Sequence, residues 1–474
     1  IEPSYRGWMY GGWPESIRVH VLLRSTELAA AVKELDVRVK LGPKAGGATL
    51  FGRSFPLSGK ETELTFARPD LQPGHYRLDF TLVHRGEPGI VSDCSRSIRQ
   101  WAGAQPDARC WIDRHHRLII DGKPFFPLGM YSSIPKEEDL KRIAAAGFNC
   151  MTPYPLANKP LPVQRAYLDL AERYGVKTVI PLGNFFEGNR YFPPSYKPEW
   201  DTEEKAVRGL VSEFKDHANV LAWYVIDEPK GPEAASQMRA HHLWIDDEDS
   251  HHPTWSMFNR HRLESLDYFR NASDILGSDP YPVRKHGGLL KWVVKWTRGT
   301  RRDVLDARPL WMAIQIHNLQ VYQQEEKSLR PPEYREIRNM TFQTLCEGAD
   351  GIMFYHYLDL HRDPDVSFEE RWADVSRIGR ELSELSPLLL SVEATPDVSV
   401  NGPDVLSLIR TYNGETNIFL VNFRNNEERP ADIALPMGVT DLALNGEPLA
   451  DSPTVSLTLP PLAVYRLRFR GGLE

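Results

Sequence analysis

The chain has 474 residues, of which 41% are hydrophobic and 10% aromatic, enough to build several cores. Its formal net charge of −7, with Lys and Arg dispersed along the chain, argues against a nucleic-acid partner. No apolar run approaches the roughly 18 residues that a membrane span requires, and the N-terminus lacks a basic region followed by an apolar one.

Cysteine and histidine spacing indicates no metal site and no dense disulfide framework. The cysteines are scattered, without a Cys-x-x-Cys pair: Cys94, Cys110, Cys150 and Cys346. The His241-His242 and His251-His252 pairs flank the acidic run 246–249, but neither a His-Glu-x-x-His motif nor an EF-hand spacing is present. We interpret this region as a solvated helix end and loop, and we expect no metal and no cofactor.

Residues 1–104 alternate apolar and polar side chains with the period of a half-buried strand. Runs such as 17–23, 37–41 and 76–82 are separated by Gly, Pro and Ser. This pattern predicts an N-terminal β-sandwich.

Residues 105–392 change to a repeated order of strand, loop and helix. Eight such units predict a (β/α)₈ TIM barrel, an α/β fold, and no Gly-x-Gly-x-x-Gly motif supports the competing doubly wound sheet. The predicted strands are Phe125 to Tyr131, Cys150 to Tyr154, Val176 to Leu182, Val220 to Ile226, Pro253 to Phe258, Asp274 to Ser278, Pro309 to Ile316 and Gly351 to Tyr357.

Residues 393–474 return to alternation and predict a C-terminal β-sandwich. Asn413-Gly414 separates two apolar runs, and both of its positions suit the positive φ of a tight hairpin turn. A second Asn-Gly pair at 445–446 marks another turn.

The most informative stretch is the end of the fourth predicted strand. The run from Val220 to Ile226 is uncharged, as expected for a strand covered on both faces, and it ends in Asp227, Glu228 and Pro229. Because unpaired buried charge is costly, the two carboxylates should lie where the strand leaves the core. They fit either a catalytic acid or a structural cap on the next helix.

Active sites of such barrels lie at the carboxyl ends of the strands. Hydrogen-bonding groups, flat rings and carboxylates follow nearly every predicted strand, which suggests a sugar-binding cup with a carbohydrate partner. The expected substrate-binding residues are Tyr131, Tyr154, Asn184, Trp255, Asn259, Tyr281, Gln315, His317, Tyr355, His356 and Tyr357. Of these, Tyr131, Trp255 and Tyr357 are predicted to stack on pyranose faces.

The Trp-Tyr-x-x-Asp-Glu-Pro end of strand four, the Asp-Gly-Lys-Pro at 121–124 and the Pro-Leu-Gly-Met-Tyr at 127–131 resemble the clan A glycoside hydrolases. Those are retaining (β/α)₈ enzymes that include β-galactosidase and β-glucuronidase types with sandwich domains. The resemblance covers roughly residues 110 to 390. It implies that Glu228 is the general acid/base and that Tyr281 matches a tyrosine near the nucleophile.

Two positions depart from the clan. Asp227 stands where the clan usually has Asn, and Gln315 stands where it has the strand-seven Glu nucleophile. Three mechanisms stay open: Asp279 acts as the second carboxylate, as nucleophile or as base; Asp227 orients a substrate group that assists; or the pocket binds sugar without cleaving it.

The favoured hypothesis is a glycoside hydrolase that cleaves O-glycosidic bonds of a poly- or oligosaccharide, with catalytic residues Glu228, Asp279 and Asp227. Such an enzyme would act as a secreted, periplasmic or cell-surface protein whose export signal is not in this chain. The alternatives are a non-catalytic carbohydrate-binding protein derived from a hydrolase and a structural module of a cell-surface protein. The sugar, the linkage and the oligomeric state stay open.

Overall fold

The computed structural model describes residues 2–87, 89–284, 289–326 and 328–472. The chain forms two compact units, Ile1–Ala108 and Arg109–Glu474. The second unit holds both the parallel barrel and the C-terminal sheets, so the three-domain division at 104 and 392 stays a prediction. None of the described helices is long and apolar enough to cross a membrane.

The first unit is built from two sheets that share one core. A five-stranded sheet has the order Trp8–Met9, Ile90–Gln100, Gly74–His84, Leu35–Pro43 and Phe51–Pro56, and a two-stranded sheet pairs Ser16–Leu22 with Glu61–Ala67. Alternate side chains of Leu35–Pro43 and Glu61–Ala67 are buried, and Ile17 of one sheet and Val37 of the other enter the same apolar cluster. A short helix, Thr26–Ala30, lies between the first long strands.

The second unit is organised around eight parallel strands in a nearly closed sheet. Strands one to eight are Leu128–Ser132, Cys150–Pro153, Lys177–Pro181, Val220–Asp227, Thr254–Phe258, Ile275–Ser278, Trp311–Gln315 and Gly351–Tyr355. The order across the sheet runs six, five, four, three, two, one, eight, seven. Strands six and seven meet only through an isolated bridge between Leu276 and Leu310, so a seam separates them.

Helices follow seven of the eight strands and cover the outside of the barrel. They are Glu137–Ala145, Leu161–Arg173, Glu203–Phe214, Ala234–Glu248, Lys291–Asp303, Tyr334–Cys346 and Phe368–Leu389. Between strands five and six, residues 259–274 form only the 3-10 turn Asp267–Phe269. This corrects the expectation of eight strand-helix units. Leu263, Leu266 and Phe269 cover the barrel there instead of a helix.

The interior of the barrel is filled on the side away from the strand tips. A Cβ at Gly129 would lie 2.5 Å from the Sγ of Cys150 and 2.6 Å from the Sδ of Met353. A Cβ at Gly351 would lie 2.7 Å from Cδ1 of Trp311. Small residues on some strands therefore make room for large ones on others, as packed TIM-barrel interiors require. The interior of the barrel is therefore a packed core below the carboxyl ends of its strands.

Three short strands, Cys110–Ile112, Leu118–Ile120 and Lys123–Phe125, form an antiparallel sheet just before strand one. The last 80 residues form two more antiparallel sheets around their own apolar cluster. The predicted turn at Asn413-Gly414 is confirmed, with φ of 52° and 70°. The strands after the barrel are Ser399–Asn401, Val405–Tyr412, Glu415–Asn422, Arg429–Ala434, Thr440–Leu444, Glu447–Pro448, Thr454–Leu459 and Val464–Arg470.

Candidate active site

The end of strand four turns two carboxylates into the barrel mouth. Asp227 is the last residue of the strand, and Glu228 follows it with a φ of 45°, a left-handed conformation that is uncommon for a residue with a side chain. The Glu228 N–H still donates to the Met257 carbonyl of strand five at 3.0 Å. The backbone is thus anchored while the side chain leaves the sheet. Strained positions of this kind concentrate at functional sites.

Asp227 is held by phenols. The Tyr224 hydroxyl donates to its Oδ1 at 2.6 Å, and the Tyr154 hydroxyl donates to its Oδ2 at 2.7 Å. The Tyr131 hydroxyl donates in turn to that of Tyr224 at 3.2 Å. Although Asp227 reaches solvent at the mouth, desolvation by these rings raises the pKa of its carboxyl to about 6, against the opposing effect of the two phenol hydrogen bonds.

Glu228 is bound by donors on the loop after strand five. The Nδ2 of Asn259 donates to Oε1 at 3.0 Å, and the guanidinium of Arg262 lies 3.3 Å from Oε2. Both are partners that a carboxylate prefers. The Glu228 side chain is 25% exposed, so it borders both the solvent and the interior of the mouth.

Asp279 follows strand six directly and faces the same space. It is 3% exposed, and its carboxyl lies close enough to those of Glu228 and Asp227 for their charges to act on it. Burial raises the pKa of Asp279 well above its usual range, and the hydrogen bond and negative charge of Glu228 and the charge of Asp227 raise it further. Asp279 therefore holds a proton at pH values where an exposed aspartate has lost it. The predicted pair of carboxylates is brought together.

Rings surround these carboxylates. The ring of Tyr131 is centred 5.3 Å from that of Tyr154, 5.7 Å from Trp255 and 5.4 Å from Tyr355, and Tyr281 lies 5.4 Å from Tyr355. The mouth is therefore lined by flat, hydrogen-bonding surfaces of the type that bind sugar faces and hydroxyls.

The rings that are exposed in the mouth are not the ones that the sequence predicted to stack on a sugar. Trp255 and Tyr131 are 0% and 1% exposed because other rings cover them, so they form the floor of the mouth and cannot stack on a sugar as predicted. The partly exposed rings are those of Tyr154, Tyr281 and Tyr355. Stacking on a substrate therefore falls to these three.

Two histidines complete the wall. The Nδ1–H of His317 donates to the Tyr355 carbonyl at 2.9 Å, and burial lowers the pKa of His317 to about 4, so the ring is neutral. His356 stacks on Tyr154 with ring centres 6.2 Å apart, and its Nδ1 lies 3.6 Å from the buried Asp359.

Other expected site residues lie elsewhere. Tyr357 points away from the mouth, donates to Asp139 at 2.8 Å and packs on Phe368 and Trp372. Its place at the start of the short helix Tyr357–Leu360 turns its ring toward the outer helices.

Asn184 and Gln315 bind protein groups instead of facing the carboxylates. Asn184 lies in the turn Gly183–Phe185 and accepts a hydrogen bond from Asn189 at 3.3 Å. Gln315 is 0% exposed, and its amide bonds the backbone of Val283.

Sequence reasoning missed three residues of the site. Tyr224 was hidden in the apolar run of strand four. A regular strand would place it on the face opposite to Asp227, three residues later, but an irregularity between Tyr224 and Ile226 brings their side chains together. Arg262 lies on a loop with no regular pattern. Tyr322 donates to Asp359 and lies 3.2 Å from the Tyr355 hydroxyl. Only Tyr224 carried a signal, as a polar ring in a strand otherwise free of polar groups.

Three of the four histidines are buried, contrary to the prediction of a solvated helix end and loop, whereas His251 is exposed as predicted. His241 is 0% exposed, stacks on Phe186 and bonds Glu203 at 2.9 Å. His242 bonds Thr254 at 2.8 Å, and His252 bonds Asp249 at 2.8 Å. The helix Ala234–Glu248 turns the face that carries His241 and His242 inward, and His252 is buried in the loop that follows the helix.

Within the described ranges, Asp169, Glu172 and His217 come close enough together to hold a metal ion. The Nδ1 of His217 accepts from the Asn219 N–H at 3.1 Å, so the proton lies on Nε2, which faces Asp169 at 3.1 Å. Neither ring nitrogen has a lone pair for a metal in this arrangement. The cluster is a hydrogen-bonded surface group.

A scan of protein-family models finds no match to the chain, and a search of curated proteins finds none either. Among solved structures, the chain is similar to a protein described as a glycoside hydrolase, with a TM-score of 0.52 and 11% identity over 77% of this chain and 97% of that one. It is also similar to a Ruminococcus gnavus β-glucuronidase, with a TM-score of 0.43 and 12% identity over 78% of this chain and 66% of that one.

A β-galactosidase from Halorubrum lacusprofundi matches with a TM-score of 0.44 and 14% identity over 54% of this chain and 58% of that one. The chain thus spans less than two thirds of the length of the β-glucuronidase and β-galactosidase. At these identities the likeness concerns the fold alone. The chain has a glycosidase-like fold, a nearly closed eight-stranded parallel barrel accompanied by antiparallel sheets.

Proposed function

We propose that the protein is a glycoside hydrolase and that Glu228 and Asp279 are its catalytic pair. The observation that carries the proposal is the buried carboxyl of Asp279 at the tip of strand six, which feels the carboxyl groups of Glu228 and Asp227 at the tip of strand four, in a mouth enclosed by tyrosine rings. Two carboxyl groups that flank the scissile bond are what most glycoside hydrolases use. Packing alone gives no reason to bury an aspartate beside a glutamate at the mouth.

One proton shared by the pair supplies both roles. Asp279 holds it in the structure, as its raised pKa indicates. Transfer of that proton across the hydrogen bond makes Glu228 the acid that protonates the leaving oxygen and leaves Asp279 as a carboxylate. The partial exposure of Glu228 suits contact with a departing group and incoming water, whereas buried Asp279 suits attack on, or stabilisation of, the sugar carbon.

Asp227 has a supporting part in this proposal. Both of its oxygens accept phenol hydrogen bonds, which fix its orientation and leave it poorly placed for attack. It can still accept a bond from a sugar hydroxyl or an acetamido N–H. Assistance by a substrate group held at Asp227 is therefore the second mechanism to test if Asp279 proves dispensable.

The stereochemical course is open to direct measurement. Retaining enzymes hold their two carboxyl groups about 5 to 5.5 Å apart and inverting enzymes about 6.5 to 9.5 Å. Proton NMR of the first anomer released distinguishes the two courses. An initial product of unchanged configuration assigns Asp279 as nucleophile, and the opposite configuration assigns it as base.

The experiment that tests the function is turnover of dye-linked glycosides across sugar types, with Asp279→Asn as the inactive control. Release of dye by the wild type and not by Asp279→Asn supports the proposal. The alternative, a carbohydrate-binding protein derived from a hydrolase, is favoured by Gln315 at the clan's nucleophile position. Saturable sugar binding with no release of any dye would establish that alternative. Action outside the cytoplasm stays a prediction.

A further inference from the structure

Gln315 occupies the position where the clan resembled by this chain has its nucleophile, and its side chain is fully engaged. Its Oε1 accepts from the Val283 N–H at 2.9 Å, and its Nε2 donates to the Val283 carbonyl at 2.8 Å and to the His317 carbonyl at 3.3 Å. The amide of Gln315 thus bonds both the N–H and the carbonyl of Val283, as the backbone of a neighbouring strand would. Only an amide can do both without changing protonation.

The hydrogen bonds of Gln315 span the seam between strands six and seven, where the barrel has few backbone hydrogen bonds. Strands six and seven share a single isolated bridge, with the Leu276 N–H donating to the Pro309 carbonyl at 3.2 Å. Closer to the mouth, the Ser278 N–H faces the sulfur of Met312 at 3.3 Å, a weak acceptor, where a ladder would offer a carbonyl. Gln315 therefore replaces the missing ladder at the end of the seam that faces the site.

The segment held in this way carries Asp279. Strand six fixes one end of residues 279–283 at Ser278, and Gln315 fixes the other at Val283. Pro280 and Pro282 stiffen the residues between, which include Tyr281. A catalytic group needs this kind of fixed support, since small displacements cost large factors in rate.

We infer that Gln315 is a positioning residue that clamps Val283 across the seam and so places Asp279 and Tyr281 in the mouth. The inference rests on the proposed function for its consequence in catalysis, but the clamp itself is a property of the fold. The clamp explains why strand seven ends in an amide. The side chain at position 315 supports Asp279, and the second carboxylate comes from strand six.

The test compares Gln315→Met with Gln343→Met, a control that removes an equally buried amide on the helix Tyr334–Cys346. Gln315→Met should lower kcat on the order of 10²-fold because Asp279 is displaced, with a smaller rise in KM because Tyr281 moves with it while Tyr154 and Tyr355 still bind the substrate. Gln343→Met should leave both constants unchanged. A Gln315→Met variant with wild-type kcat overturns the inference.

Gln315→Glu adds a signature that general destabilisation would not produce. An ionised carboxylate at position 315 opposes the Val283 and His317 carbonyls, whereas a protonated carboxyl group can again donate and accept. The rate of Gln315→Glu relative to wild type should therefore rise as pH falls. A variant faster than wild type that forms a covalent adduct with a fluorinated glycoside would show that position 315 is catalytic, against the inference.

Hydrogen exchange tests the clamp without any turnover. Because residues 280 and 282 are prolines, the segment 280–283 has only the amides of Tyr281 and Val283. Loss of one hydrogen bond should speed exchange at Val283 about 10-fold in Gln315→Met, with strand four unchanged. If no glycoside is turned over, the proposed function fails while this readout still decides the clamp. Unchanged exchange at Val283 refutes it.

Discussion

The tips of strands four and seven lie on the same edge of one sheet and follow similar apolar runs. The polar side chains at the two tips nevertheless have different environments. Glu228 leaves strand four with a positive φ and turns its carboxylate toward Asn259 and Arg262. Gln315 stays buried at the end of strand seven and bonds backbone groups.

The difference follows from the neighbouring strand. Strand five accepts the Glu228 N–H, so the backbone is satisfied and the side chain is available for chemistry. Strand six offers strand seven almost no ladder, so a side chain has to supply the missing bonds. The environment of a polar residue at a barrel tip therefore depends on whether unpaired backbone groups nearby require its hydrogen bonds.

The largest expected effect is that of Asp279→Asn, which tests whether strand six supplies the second carboxylate. Turnover should fall by about 10⁴-fold or more for good and poor leaving groups alike, because an amide can neither attack nor accept a proton. Asp350→Asn is the matched control, since Asp350 is another carboxyl whose pKa is raised, to about 7, but it lines a cavity away from the mouth. Full activity of Asp279→Asn would transfer the role to Asp227 and an assisting substrate group.

Glu228→Gln should have the next largest effect, and it tests the strand-four tip. The loss should be roughly 10²- to 10⁴-fold for a poor leaving group and much smaller for an activated one, since an amide cannot deliver a proton. Kinetics with matched pairs of aryl glycosides provide the measurement. The exposed Glu233→Gln serves as control, and equal losses with both leaving groups would contradict the acid role.

Asp227→Asn should alter the pH dependence of stability. The pKa of Asp227 is about 6 in the folded protein and near 4 in an unfolded chain, so only the unfolded state loses this proton between these values. The wild type therefore loses stability relative to the variant as pH rises from about 4 to 6, and the difference is level above 6. Melting temperatures measured across this range test it. A constant difference would refute the raised pKa.

The smallest expected effect is that of Tyr154→Phe, which removes one hydrogen bond to Asp227. That bond lowers the pKa of Asp227, so its loss should raise the pKa by about one unit. The pH range over which the protein loses stability should then extend upward by the same amount. Tyr357→Phe is the control because its hydroxyl donates to Asp139 instead. Equal shifts in both variants would show that the Tyr154 phenol does not act on Asp227.

The sequence alone determined the periodicity of apolar residues, and this periodicity determined the helices and strands. Apolar runs, helical stripes and the Asn413-Gly414 turn depend on neighbours along the chain, and the eight strands lie within a few residues of their predicted positions. The carboxylates at 227 and 228 were equally visible, since a proline after an uncharged run marks the end of a buried strand.

Tertiary structure alone decided what each tip residue faces. No period in the sequence shows that Trp255 is covered by other rings, that Tyr357 turns outward, or that strands six and seven lack a ladder. These depend on contacts between residues distant in the chain. The missing ladder made Gln315 a clamp, and the burial that raises the pKa of Asp279 comes from residues of several different strands.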